Sequence, residues 1–341
     1  MSPRISFLQN WSPAWLRGVV FTTGLVALAS IQGAHATLAT TSTKQLTISY
    51  SEKVGDELAL WIANDAGYFK QRGLNVTLKY LPAQEGIPAL LAGQIEMAAI
   101  GGSDALSAEA QGAKLKYVAT FSPVLLFQFW ARPKYAHASA LKGQRVGVTS
   151  STGSVYTATV ISLRKLGLST KDVALTPLGS VPNVNNALIA GSIVAAVAHP
   201  PATYVFKQQG FVKMVDLLKE RIGSINTGLV AKASYVRSHP GIVQNVVDAV
   251  TEALHREKSD KAFTEQEMRK YMHVKSKVVA DFTYNFYAKQ VAPSVPMPKV
   301  SQLRAAKKTL SAGNTKMKSV DLSSMIDQSF VKKAMAEKNI K

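Results

Sequence analysis

Cysteine is absent from the 341-residue chain, which excludes disulfide bonds, thiol catalysis and lipid attachment through a cysteine. Common catalytic signatures are missing too: no HExxH, no GxSxG, no P-loop and no GxGxxG after a predicted strand. The six histidines are scattered without the spacing of metal ligands. We therefore expect neither an enzyme nor a bound metal or other cofactor.

Acidic residues are scarce: 21 Asp and Glu stand against 40 Lys and Arg, for a formal net charge of +19. Nucleic acid could explain such a balance, but no Lys/Arg block, zinc pattern or aromatic RNA-binding signature accompanies it. A cationic surface that faces a negatively charged membrane is the favoured explanation. We expect no nucleic-acid partner.

Long uncharged apolar runs are confined to the N-terminus, at Gly18–Ile31. Arg4 and Arg17 precede this run, and Ala34-His35-Ala36 follows it, in the order of a secretory signal peptide. The alternative is a membrane anchor, but the run is short for a hydrocarbon core of ~30 Å. We expect residues 1–36 to be a signal peptide, cleaved after Ala36, and the mature chain to be a periplasmic monomer without a lipid anchor.

One stretch of small apolar residues is present twice, as ALLAGQIEMAAIGGS at Ala89–Ser103 and as ALIAGSIVAAVAHPP at Ala187–Pro201. Each copy predicts a short helix that ends at a glycine in the left-handed conformation, followed by a strand buried on both faces. Two α/β units built alike predict two α/β lobes. Ligands of such sheets bind at the loops that follow the strands.

The remaining strand and helix patterns predict an α/β protein in which each lobe is a mostly parallel sheet flanked by helices. We expect a discontinuous first lobe, residues 44–132 plus 228–341, and an inserted second lobe, residues 133–227. The chain would then cross near Trp130–Lys134 and again near Ile225–Thr227. Two crossings of this kind make a hinge with a cleft beside it.

The loop Thr149–Ser154, TSSTGS, lies between a predicted strand and a predicted helix. The first N–H groups of a helix have no internal partner and carry partial positive charge, so hydroxyl groups and a glycine there suit an anion. The alternative is a simple N-cap, which one Ser or Thr satisfies. The run of small polar residues favours ligand contact.

Other predicted strand ends add candidates. Gly101-Gly102-Ser103 would let the backbone approach a ligand, or is a tight turn before a helix. His199 lies at the matching position of the second copy and is either a ligand contact or a structural histidine. The candidate ligand-binding residues are Ser51, Glu52, Gln84, Gly101, Gly102, Ser103, Thr149, Ser150, Ser151, Thr152, Gly153, Ser154, His199, Pro200, Asn226 and Thr227.

The balance of acidic and basic residues in and beside the inserted lobe indicates the charge of the ligand. From Gln111 to Val215 the only carboxylate is Asp172, whereas eleven Lys and Arg residues are present. A negatively charged or neutral ligand is favoured, with a solvated basic face as the alternative.

Five segments together resemble a known family: the two copies, AGYFKQRGLNVTL (Ala66–Leu78), LKGQRVGVTSSTGS (Leu141–Ser154) and TGLVAKASYVRSHPGIVQ (Thr227–Gln244). They are similar to the periplasmic solute-binding proteins of ABC importers, nitrate/sulfonate/taurine type. Those proteins share the type 2 periplasmic-binding fold with thiamine-pyrimidine precursor binding proteins.

The resemblance implies a protein that captures a small solute of the sulfonate, nitrate, taurine, aromatic acid or pyrimidine class between its lobes. It also implies delivery to an inner-membrane ABC permease and its ATPase. Two alternatives stay open at this point: an enzyme like the thiamine-pyrimidine synthase, and a sensor that presents its ligand-bound form to a receptor.

Overall fold

The computed structural model describes residues 43–337. The predicted signal peptide, residues 1–36, lies outside the described residues. Within residues 43–337, every helix is too short or too polar to cross a lipid bilayer.

Strands in the described part of the chain form two five-stranded sheets. The strands are β1 Lys44–Tyr50, β2 Leu74–Tyr80, β3 Met97–Ile100, β4 Leu115–Val124, β5 Gln128–Ala131, β6 Arg145–Val148, β7 Ala174–Pro177, β8 Ala195–Ala198, β9 Val212–Asp216 and β10 Gly223–Lys232. The first sheet has the order β2-β1-β3-β10-β4, and the second has the order β7-β6-β8-β5-β9.

Helices flank both sheets. They are α1 Leu58–Asp65, α2 Ala83–Ala92, α3 Gly102–Glu109, α4 Gly153–Lys165, α5 Val181–Ala190, α6 Ala202–Gln208, α7 Ala233–Ser238, α8 Pro240–Ser259, α9 Lys261–Met272, α10 Lys277–Phe286, α11 Ser301–Leu310 and α12 Ser329–Glu337. A π-helical turn, Tyr287–Val291, continues α10. We call the part of the molecule built on the first sheet the first lobe, and the part built on the second sheet the second lobe.

Both sheets follow the same plan, and this confirms the predicted fold class. Three neighbouring strands of each sheet are parallel, and the fourth, β10 or β5, runs against them. The last strand, β4 or β9, is antiparallel to that fourth strand and so again shares the common direction. Four of the five strands in each sheet therefore point the same way.

The two copies of the repeated stretch occupy equivalent places in the two sheets. Helix α2 ends at Gly93, which has a φ of 76°, and helix α5 ends at Gly191, which has a φ of 85°. Each glycine leads into a strand whose residues are all buried, β3 or β8. The predicted left-handed caps and buried strands are confirmed. Both strands point their carboxyl ends at the space between the lobes.

The chain passes between the sheets slightly earlier than the sequence predicted. Strand β5 already belongs to the second sheet, so the first passage is residues 125–127 and not 130–134. The return passage is residues 217–222, because β10 begins at Gly223 in the first sheet. Phe129 and Trp130 of β5 are buried, and an apolar buried strand looks the same in sequence whichever sheet it joins.

Candidate functional site

A cleft of about 570 Å³ lies between the two lobes. Loops that follow strands β1, β2 and β3 supply its first wall, and loops that follow β6, β7 and β8 supply the opposite one. The end of helix α9 closes one side with Tyr271, Met272 and His273. This is where ligands of open parallel sheets bind, and the volume suits a small organic molecule.

Most of the candidate residues line this cleft. Those on its wall are Ser51, Glu52, Gln84, Gly101, Thr149, Gly153, Ser154, His199, Pro200, Asn226 and Thr227. Those outside the wall are Gly102, Ser103, Ser150, Ser151 and Thr152.

The hydroxyl groups of the polar loop are directed at the loop itself. Ser150 Oγ donates to the carbonyl of Thr152 at 2.7 Å and accepts from the Thr152 N–H at 3.3 Å. The side chain of Ser151 is exposed, and Thr152 precedes α4 without a capping hydrogen bond from its own side chain. Ser150 and Thr152 thus bond to each other, and none of the three residues is among those that line the cleft.

Gly102 and Ser103 lie behind the cleft wall. Ser103 Oγ lies 3.0 Å from Thr157 Oγ1, a buried contact that joins α3 of the first lobe to α4 of the second. A Cβ at Gly102 would lie 2.6 Å from Leu303 Cδ2 of α11, so that side chain would have to shift. Ser103 therefore contacts the second lobe, Gly102 packs within the first, and neither is among the lining residues of the cleft.

Asp104 of the first lobe covers the N-terminus of helix α4 in the second lobe. Gly153 has a φ of +86°, and a Cβ added there would lie only 2.8 Å from Asp104 Oδ1. Burial raises the pKa of Asp104 to about 6, while the Ser154 N–H acts in the opposite direction. A carboxyl group of the chain itself therefore lies at the helix end where the sequence predicted an anionic ligand group.

Asp56 is the second carboxylate of the cleft. Its Oδ2 accepts hydrogen bonds from Asn226 Nδ2 at 2.8 Å and from Thr227 Oγ1 at 2.6 Å. Its Oδ1 is buried and has no hydrogen-bond partner among the described residues. The residue is only 6% exposed, and it lines both the cleft and a smaller cavity beside Glu257 and Tyr287.

Glu52 and His199 face each other across the cleft, with Glu52 Oε2 3.8 Å from His199 Nε2. On the other side of the ring, His199 Nδ1 lies 2.8 Å from the hydroxyl of Tyr287, which also contacts the carbonyl of Pro200 at 2.9 Å. Burial lowers the pKa of His199 and raises the pKa of Glu52 well above its usual value. The negative charges of Asp56 and Asp104 raise the pKa of Glu52 further. Neutral imidazole and protonated Glu52 are therefore favoured.

Sequence reasoning included neither Asp56 nor Asp104 among the candidate ligand-binding residues. Asp56 lies in a short 3-10 turn, Gly55–Glu57, which has no apolar pattern. A usable signal was the grouping of Glu52, Asp56 and Glu57 directly after the first strand of a strongly basic chain.

Acidic residues outnumber basic ones on the cleft wall. Glu52, Asp56 and Asp104 line it, and the sole Lys or Arg among the described lining residues is Lys53, whose ammonium lies 5.1 Å from the ring centroid of Tyr80. The first lobe contributes these carboxyl groups, so the shortage of acids between Gln111 and Val215 does not extend to the cleft. Within residues 43–337, no group of three or more His, Asp or Glu side chains is arranged to hold a metal ion.

The raised pKa of Asp104 predicts a pH-dependent stability difference between the parent and Asp104→Asn. From pH 3.8 to about 6 the unfolded chain ionises this group before the folded chain does, so the parent loses stability relative to the variant as pH rises through that window. The shift corresponds to at most about 3 kcal/mol, reduced where the side chain meets water in the cleft. Urea unfolding of both proteins at pH 4 and pH 7 measures it. A difference that does not change with pH would contradict the assignment.

A scan against protein families matches residues 56–258, more than half of the chain, to the model described as NMT1/THI5 like. Among curated proteins none matches.

Solved structures match the fold over most of the chain. The alkanesulfonate-binding protein SsuA from Xanthomonas axonopodis pv. citri, bound to MOPS, is 22% identical, with a TM-score of 0.68 over 85% of this chain and 97% of that one. The Candida albicans CA3427 gene product, described as having the generic periplasmic binding protein fold, is 15% identical, with a TM-score of 0.67 over 84% and 96%. The desulfurization enzyme DSZB is 18% identical, with a TM-score of 0.62 over 86% and 99%. These likenesses show the two-lobed fold of periplasmic binding proteins.

Proposed function

The chain belongs to the NMT1/THI5-like family, and on that premise we propose that it is an extracytoplasmic solute-binding protein. It captures a small organic solute in the cleft and delivers it to an ABC permease and its ATPase. The observation that carries this proposal is the cleft of about 570 Å³, whose walls come from the strand-end loops of both lobes. A solute held there contacts both lobes at once.

The cleft chemistry favours a neutral or cationic solute that donates hydrogen bonds. Asp56 and Asp104 bring carboxyl groups to the cleft wall, and Asp56 Oδ1 makes no hydrogen bond among the described residues. An anionic solute would meet these groups with Lys53 as its one neighbouring Lys or Arg among the described lining residues. Of the classes that the sequence left open, the pyrimidine class therefore fits better than the sulfonate, nitrate, taurine or aromatic acid classes.

Apolar surface in the cleft supports a flat, partly apolar solute. Tyr80, Ile189 and Val205 are large hydrophobic residues that are more than a third exposed, and all three line the cleft. Phe127 adds an aromatic ring to the wall. Exposed apolar side chains gathered in a concave site are typical of ligand contact.

The same fold does not by itself separate binding from catalysis, because DSZB shares it. We propose binding, since burial raises the pKa of Glu52 and lowers the pKa of His199, which disfavours the charged form of each, and since the chain has no cysteine nucleophile. A sensor would use the same cleft. Co-purification with a permease distinguishes transport from sensing.

A thermal-shift and calorimetric screen tests the proposal with 4-aminopyrimidines, taurine, methanesulfonate, nitrate and benzoate. A ligand present at 100 times its Kd adds about 2.7 kcal/mol to the stability of the folded state. We expect an aminopyrimidine to raise the melting temperature and the anions to leave it unchanged. Stabilisation by anions alone would refute the solute class, and no response to any small solute would refute the binding function.

Solute binding is expected to draw the two lobes together. The lobes are joined by two passages, residues 125–127 and 217–222, and a hinge motion needs only a few residues to change their dihedral angles. Small-angle X-ray scattering should show a smaller radius of gyration at saturating solute than without it. An unchanged profile would argue against capture by closure.

A further inference from the structure

Helix α4 has an N-terminus that would otherwise be an anion-binding site. It is thirteen residues long, and its first N–H groups need acceptors. The Thr152 side chain makes no capping hydrogen bond, and Ser154 Oγ is buried without a hydrogen-bond partner among the described residues. Hydrogen-bond donors, the first N–H groups of α4 and the Ser154 hydroxyl, are therefore concentrated at the start of α4.

Asp104 is the group that lies against these donors. Its Oδ1 and Oδ2 would be 2.8 Å and 3.2 Å from a Cβ at Gly153, so the carboxylate lies directly on the first residue of α4. A Cβ added at Gly101 would overlap Ser154 Oγ, so the backbone of the first lobe comes close to this serine beside the carboxyl group. Asp104 comes from the first lobe and thus places a negative charge at a helix of the second.

We propose that Asp104 is the specificity-determining residue of the cleft. Its carboxyl group occupies the N-terminus of α4 and thereby prevents anionic solutes from binding there. This inference rests on the proposed function of the cleft. A solute with a sulfonate or carboxylate group would have to displace Asp104 or lie beside it, and like charges at such a distance repel. The cleft would therefore select its solute in two ways: charge repulsion weakens the binding of anionic solutes, and hydrogen bonds favour the binding of neutral or cationic ones.

The other cleft carboxylates cannot take this role. Asp56 Oδ2 is held by Asn226 and Thr227, and Glu52 faces His199 at 3.8 Å. No hydrogen bond or ion pair joins either of them to the start of α4 among the described residues. The acids of the second sheet and its connections, residues 128–216, are Asp172 and Asp216, and neither lines the cleft, so without Asp104 no acid of the second lobe would oppose this helix end.

Removal of the Asp104 side chain should therefore allow the cleft to bind anionic solutes. In Asp104→Ala the N–H groups of α4, Ser154 Oγ and the space left by the carboxylate form a pocket for an oxyanion. Asp104→Ser is a second variant that keeps a small polar group if the alanine variant folds poorly. Asp104→Asn is the matched control, because its amide oxygen still occupies the helix end without the charge.

Calorimetric titration with sodium methanesulfonate and with sodium sulfate tests the inference on the parent and the three variants. We expect no measurable binding to the parent, at least a tenfold gain in Asp104→Ala and Asp104→Ser, and a smaller gain in Asp104→Asn. The inference is overturned if the parent binds methanesulfonate, or if folded alanine and serine variants bind it no better than the parent. This outcome is separate from that of the proposed function. The proposed function fails if the parent binds no small solute, whether or not the Asp104 variants gain anion binding.

Discussion

Asp56→Ala should lose aminopyrimidine binding by about ten- to a hundredfold or more. A hydrogen bond to a charged group contributes ~1.5–3 kcal/mol, and ~1.4 kcal/mol is a factor of ten in affinity. The substitution removes a carboxyl group from the cleft wall, including an Oδ1 that makes no hydrogen bond among the described residues. It also leaves Asn226 Nδ2 and Thr227 Oγ1 without their common acceptor, so the cleft wall loses its order as well.

Two variants serve as controls for this result. Asp56→Asn keeps an acceptor for one of the two donors and should show a smaller loss. Ser151→Ala combined with Thr152→Ala changes residues outside the cleft wall, so its affinity should match that of the parent. Calorimetric titration gives the affinities, and chemical unfolding shows whether each variant is folded. If Asp56→Ala binds as the parent does while the loop variant loses binding, the site lies at the polar loop and not at Asp56.

Gly55→Ala should be strongly destabilising, because a Cβ at this position would overlap the ring of Tyr287. That ring is 1% exposed, and its hydroxyl lies within hydrogen-bond distance of His199 and of the Pro200 carbonyl. Overpacking a core costs ~1–3 kcal/mol, and loss of these hydrogen bonds adds ~0.5–1.5 kcal/mol each. We expect several kcal/mol in total, together with weaker solute binding, because Tyr287 supports His199 in the cleft.

A double-mutant cycle identifies the cause. Gly55→Ala in a Tyr287→Ala background should cost much less than in the parent, because the clash partner is gone. Gly241→Ala, in helix α8, has open space around the added Cβ and should change stability little or raise it. Additive effects of the two substitutions at Gly55 and Tyr287 would show that the ring is not what excludes a side chain at Gly55.

Much of the architecture could be predicted from the sequence, because the helix ends and buried strands depend on residues that are neighbours in the chain. The duplicated helix–glycine–strand unit predicted Gly93 and Gly191 as left-handed caps and predicted two similar sheets, and the structure confirms both. Backbone conformation at a glycine and burial of a short apolar strand depend mainly on the residues beside them.

The electrostatics of the cleft could not be read in this way. The anion expected at the start of α4 was inferred from residues of the second lobe alone, whereas the acceptor at that position is Asp104, about fifty residues away in the chain. Asp56 likewise meets Asn226 and Thr227 across a sequence separation of 170 or more. Local patterns carry no information about which distant side chain will face a given loop.

The central claim is that carboxyl groups in the interlobe cleft capture a neutral or cationic solute. The most direct test is native mass spectrometry of the protein after incubation with equal amounts of a 4-aminopyrimidine and methanesulfonate. The mass of the complex shows which solute is retained. The account predicts one aminopyrimidine per chain on the parent and a much smaller bound fraction on Asp56→Ala. A methanesulfonate complex on the parent, or an aminopyrimidine complex that is as abundant on Asp56→Ala as on the parent, would contradict it.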